Sequence, residues 1–187
     1  LNTQIKSVVS QYYADNTGDF DLSFRRSNLL TLIDAISPAI LSSRAEVKMQ
    51  QRITPTINAV NTFTLNFPSS IKEPFGTEEQ IITSSFFNIK TVAGNERLVK
   101  MKNLGNKIQI YDTNTGTVLV DNIGSIDYIS GIVNIVSFKP SGIPGNTEIK
   151  VSVTPANQSA VSPTRNNILQ YDAENSLISP VIVTASN

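Results

Sequence analysis

Between Ser42 and Ile53 the chain reads SSRAEVKMQQRI. Ala45, Val47, Met49, Gln51 and Ile53 fall on one side of a period-two repeat, and Arg44, Glu46, Lys48, Gln50 and Arg52 on the other. Strict alternation over this length predicts a long strand with one mostly apolar face and one charged face. Such a strand needs pairing partners.

Downstream segments supply those partners. TFTLNF (62–67) alternates, with Phe63, Leu65 and Phe67 on one face. IITSSFFNIKTV (81–92) reads as strand because Ile and Phe dominate it, although Thr77 with Gln80 also fits a helical capping box. Three hairpins are predicted next. IQIYD and TVLVD flank TNTG at 113–116; SIDYI and IVNIVSF flank a two-residue turn at Ser130 and Gly131, where glycine supplies positive φ. PSGIPGN (140–146) then leads into TEIKVSVTP, in which Thr147, Ile149, Val151 and Val153 alternate with Glu148, Lys150, Ser152 and Thr154. The rest is loop with short extended pieces, interrupted by Pro155, Pro163 and Pro180.

Ahead of the long strand lie two helical patterns. Leu1, Ile5, Val8, Val9, Tyr12 and Tyr13 make an apolar stripe over 1–13, with Gly18 as a stop signal. Leu29, Leu30, Ile33 and Ile36 make a second over 28–36, with Ser27 as N-cap and Pro38 barring its extension. The expected fold class is α+β: two N-terminal helices, then a long strand and a β-rich, hairpin-containing region. The expected divisions are 1–60, helical plus the long strand; 61–155, β-rich; and 156–187, loop-rich with short strands packing back.

Function is narrowed first by what is missing. The chain has no His and no Cys. That removes the commonest general base, thiol nucleophiles and thiolate metal sites. No phosphate-binding loop of the GxxxxGK[ST] kind and no GxGxxG occurs. Asp15, Asp19 and Asp21 loosely follow a calcium loop, but Phe20 and Arg26 stand where the pattern needs Gly and Glu. A solvated turn explains them, and a hairpin turn explains DTNTG (112–116). Glu78 and Glu79 are adjacent and cannot face each other as a catalytic pair. Arg25 and Arg26 beside a helix start read as an ion-pair or interface element, and NQS at 157–159 matches a glycosylation acceptor by composition alone. The expectation is a protein that is not an enzyme and has no cofactor or metal.

Fifteen basic residues balance fifteen acidic ones, which gives no sign of a nucleic-acid surface. No apolar run approaches ~20 residues. The chain opens at Leu1 without a leader pattern and reads as a piece of a longer protein. Only 16% of it is charged, below the usual ~25%; neutral polar side chains replace the charges, as on surfaces packed against other proteins.

Three segments in order carry a family resemblance. The first is a Phe-containing loop (Phe20, Phe24) followed by RRSNLLTLID and a strand with SSR. The second is G-x-IDY-x-x-G-x-V at 124–133, and the third P-x-RNNIL at 163–169. Together they resemble the baseplate wedge proteins of T-even-type contractile-tailed bacteriophages, and more loosely the baseplate J-like family. The resemblance implies a structural role. Similar proteins pair as homodimers, bind other wedge proteins and link neighbouring wedges into a ring that rearranges when the sheath contracts. It implies a place in the virion's tail baseplate, assembled in the host cytoplasm, with no nucleic-acid, membrane or small-molecule partner and no catalytic residues. Arg44, Glu46, Lys48 and Arg52 are then candidate interface residues, where alternating signs would set register; an exposed outer face is the other reading. The alternative function is a carbohydrate- or receptor-binding β module of a tail adhesin, against which stand the absence of Trp and a total of five Tyr.

Overall fold

A computed structural model describes residues 1–19, 22–76, 79–163 and 168–179. The chain forms two units, one from Leu1–Glu46 with Ser159–Asn187 and one from Val47–Gln158. The second unit is thus inserted, in chain order, into the first.

The first unit begins with helix α1 (Asn2–Asn16), whose apolar stripe buries Ile5, Val9 and Tyr12. Its last carbonyls would be left without donors. Thr17 Oγ1 donates to Tyr13 O at 2.7 Å and Asn16 Nδ2 to Tyr12 O at 2.9 Å. Strand β1 (Phe24–Arg25) runs directly into helix α2 (Arg26–Asp34). Ser27 is therefore not the N-cap. Arg25 takes that position without a side-chain cap, and the Arg26 N–H donates to Ser159 O at 2.9 Å. A distant backbone carbonyl does the work expected of a local hydroxyl.

In the second unit nine hydrogen-bonded neighbours and offshoots build one sheet of ten strands. They are β2 (Met49–Ile53), β3 (Asn61–Asn66), β4 (Ile82–Ser84), β5 (Phe87–Lys90), β6 (Glu96–Leu104), β7 (Lys107–Asp112), β8 (Val118–Val120), β9 (Gly124–Asp127), β10 (Ile132–Phe138) and β11 (Ile149–Val153). The path runs β2-β11-β4-β6-β7-β9-β10-β3, with β5 on β6 and β8 on β7. Every pairing is antiparallel. Alternate residues point inward: Val99 and Met101, Ile108 and Ile110, Val133 and Ile135, and Ile149, Val151 and Val153 are all buried. The last trio is the half-buried alternation expected for β11.

The sheet curls until its ends meet, giving a nearly closed, barrel-like form. Gln51 on the first strand donates to Asn66 O on the last at 2.5 Å. Beyond β3, Lys72 N–H donates to Thr154 O and Ala156 N–H to Ser70 O, both at 2.9 Å. One interior seam is also bridged by side chains. β4 and β6 share the single register pair Thr83–Lys102. There Asn103 Oδ1 accepts from the Ile81 and Ile82 N–H groups at 2.7 and 3.0 Å, and Ser84 Oγ accepts from Met101 N–H at 2.9 Å.

This architecture corrects the α+β expectation. Two helices do precede the β-rich region, but the ten-stranded sheet dominates and the molecule is mainly β. The long strand over 42–53 is shorter than its alternation suggested. Burial alternates through it, yet β11 offers backbone partners only to Met49–Ile53. The 81–92 segment is strand, as β4 and β5, and the β7–β8 hairpin forms around 113–117. The β9–β10 turn has four residues, 128–131, with Asp127 Oδ1 accepting from Ile129 and Ser130 N–H groups. The third hairpin does not exist. β11 pairs with β2 and β4, not β10, and the connection 139–148 crosses over, bonded to Asn58 and Asn88.

Gly131 is held at φ +69, and a Cβ there would lie 2.4 Å from Ser69 O. Gly116 has a similar φ, +73, but open space around it. Gly131→Ala is expected to cost roughly 2–4 kcal/mol, strain plus overpacking, against about 1–2 kcal/mol for Gly116→Ala. Urea denaturation of the two variants measures both. Equal losses would mean that the Ser69 carbonyl does not approach Gly131.

Candidate functional site

The four residues singled out from the sequence are exposed and are divided between the two units. Arg44 and Glu46 belong to the first unit and pair at 2.8 Å, with side chains 83% and 66% exposed. An ion pair so open to water contributes little to stability. Lys48 and Arg52 belong to the second unit, where Arg52 lies 3.4 Å from Glu148.

The candidate calcium residues are engaged in helix and turn. Asp15 accepts from Gln11 Nε2 at 2.8 Å. Asp112 Oδ1 accepts from Asn114 and Thr115 N–H groups, tightening the hairpin turn. Phe20, Asp21, Glu78 and residues 164–167, which include most of the RNN motif, lie outside the described residues. Among the described residues no group of three or more His, Cys, Asp or Glu side chains is placed to hold a metal ion, and no helix is long and apolar enough to cross a membrane.

Two carboxylates have perturbed acidity. A hydrogen bond from Lys72 Nζ, reinforced by the Phe75 N–H, holds Glu79 below the usual carboxylate range. The Ser130 N–H does the same for Asp127. Both act as acceptors that fix loops: Glu79 holds Lys72 and the Phe75 N–H, and Asp127 caps the turn after β9.

The first unit is organised by aromatic rings. Tyr12 is buried, and its hydroxyl donates to Arg25 O at 2.8 Å while accepting from Arg25 N–H at 2.9 Å. One side chain thereby satisfies both polar groups of a strand residue and fastens α1 to β1. Tyr13 stacks on Phe24 at 5.6 Å on one face and on Tyr171 at 4.3 Å on the other. Tyr12 meets both Tyr13 and Phe24 edge-on. The stack draws the C-terminal segment onto the helix. Strand β12 (Ala160–Val161), paired with β1, draws in the returning chain as well. The sequence carried one signal for this, the lone aromatic residue of the C-terminal segment, and the role of Tyr171 was missed.

In the first unit the rings of Tyr12, Tyr13, Phe24 and Tyr171 thus hold α1, β1 and the returning chain together. Residues 1–52 match the family described as baseplate structural protein gp6, C-terminal domain III. That match spans α1, β1, α2 and most of β2, and stops where the barrel begins. It supports a structural protein of a phage tail baseplate, located in the virion and in contact with other baseplate proteins. No curated protein matched the chain.

Burial, and then the neighbouring Tyr171 and Tyr12, push the Tyr13 phenol up from 10.0 to about 12. A folded pKa above the unfolded one means that the neutral ring favours the fold fully below pH 10 and loses that contribution as pH rises to about 12. Between these limits wild type should lose up to ~2–3 kcal/mol more than Tyr13→Phe, which cannot ionise. Chemical denaturation across that pH range measures the difference. Parallel curves would contradict a half-buried Tyr13 held in the stack.

Proposed function

We propose that this chain is a structural element of a baseplate wedge in a contractile phage tail, that it self-associates as a homodimer, and that it helps link neighbouring wedges into a ring. The observation that carries this reading is the match of residues 1–52 to a baseplate structural domain. It is a framework role without catalysis. The chemistry on the surface agrees with it: the described carboxylates with perturbed acidity serve loops, and Tyr12 and Tyr13 serve packing.

Apolar side chains left in solvent on the first unit supply a motive for association. Leu32 is 47% exposed and Leu41 81%. Exposed large apolar side chains stand on the second unit as well, Phe75 and Val92 among them, and a two-fold dimer is the commonest closed arrangement. An obligate contact of this kind buries more than ~2,000 Å² in total around an apolar centre.

Sedimentation velocity at micromolar protein, repeated at high salt, tests the association. A dimer that persists in high salt is the expected result. Dissociation by salt would move the contact to the charged residues at 44–52, and a monomer throughout would remove self-association from this segment.

A further inference from the structure

The outer face of the barrel carries an arrangement that the framework role does not use. Cross-strand register sets two rows over β2, β11, β4 and β6, ending on β7. In the first, Arg52 stands opposite Lys150 and Lys100 opposite Tyr111. Between them, Ser85 bonds to Lys150 through its N–H and hydroxyl, so Phe86 falls between Lys150 and Lys100. In the second row Gln50, Ser152, Thr83, Lys102 and Gln109 follow one another. The rows hold four cations and no carboxylate, and span about 19 Å at ~4.8 Å per strand. Carboxylates stand at the rim, Glu148 by Arg52 and Asp121 by Gln109 and Lys107.

One feature sets this face apart: an aromatic ring is kept on the outside, with Phe86 47% exposed and Lys100 Nζ 4.2 Å from its centroid. Lys102 Nζ lies 5.3 Å from the Tyr111 ring. The rings hold the ammonium groups at fixed places on a rigid sheet through cation–π attraction.

We propose that this face docks an acidic surface of another protein, with Lys100 and Lys102 as its centre. Charge complementarity selects the occupant. The rings that a single-stranded nucleic acid would need as stacking platforms are occupied by ammonium groups. The patch is also bounded by Glu148 and Asp121, which would repel a continuous phosphate backbone. A protein partner, rather than a free polyanion, rests on the baseplate reading above.

The test uses the whole 187-residue chain and a fluorescein-labelled deca-glutamate peptide, followed by anisotropy at about 50 mM salt. K100E/K102E should weaken binding about tenfold or more. K90E/K139E makes the same change in net charge at exposed positions outside the two rows and should cost less than about threefold. The milder K100Q/K102Q, expected to fall between the two, keeps the test valid should the charge reversal disturb folding. Equal weakening by K100E/K102E and K90E/K139E would overturn the proposal, as would no binding by wild type. Tighter binding of labelled oligothymidylate than of the peptide would also overturn it, in favour of nucleic acid. Loss of peptide binding leaves sedimentation of the dimer unaffected, so failure here and failure of the framework reading are distinguishable.

Discussion

A sheet of ten antiparallel strands has two open edges, and the second unit depends on joining them. Unpaired edge groups would either be desolvated at a cost or recruit another chain. Here the meeting of β2 with β3 is bridged by Gln51, and the strand extensions at 70–72 and 154–156 exchange backbone bonds. Elsewhere the same problem recurs at smaller scale. β4 and β6 diverge, and Asn103 supplies the acceptor that two β4-side amides would otherwise lack. Its amide nitrogen donates to Glu79 O at 2.8 Å, so a nearly fully buried side chain is fully used. Closure is also what permits Val99, Val133, Val151 and their neighbours to share one interior.

β2 enters beside the end of β11, with Met49 opposite Val153. The inserted unit therefore begins and ends at nearly the same place. The surrounding unit has its own means of closing. β12 pairs with β1 and Tyr171 stacks on Tyr13, so segments separated by the whole insertion are drawn together. The family match follows this division: it covers the helices and ends within β2.

What could be read from the sequence was local. Period-two alternation identified β3 and β11 and the stripe of Ile5, Val9 and Tyr12 identified α1, because each pattern reports only which side of an element is buried; Ile and Phe content identified β4 and β5. The same logic placed Arg44, Glu46, Lys48 and Arg52 in solvent. It failed wherever the answer lay in a distant partner. Residues 42–48 alternate like a strand but, among the described residues, have no strand paired with them. Ser27 lost its capping role to the carbonyl of Ser159. The supposed hairpin into β11 became a crossover because β11 was already flanked by β2 and β4. The mainly β character had the same origin: two helices and many short strands were legible, but their union in one closed sheet was not. Within the candidate surface, the residues of β6 were each visible as charges; their alignment with Phe86 and Arg52 required the register.

The most direct test of a closed barrel is amide hydrogen exchange at the closing strands, read residue by residue by NMR in the full chain. The Lys72 and Ala156 amides, which donate across the closure to Thr154 and Ser70, should exchange as slowly as the amides of the buried strand β11. Exchange at the rate of an exposed loop at these two positions, with β11 still protected, would show that the sheet is open and would contradict the account.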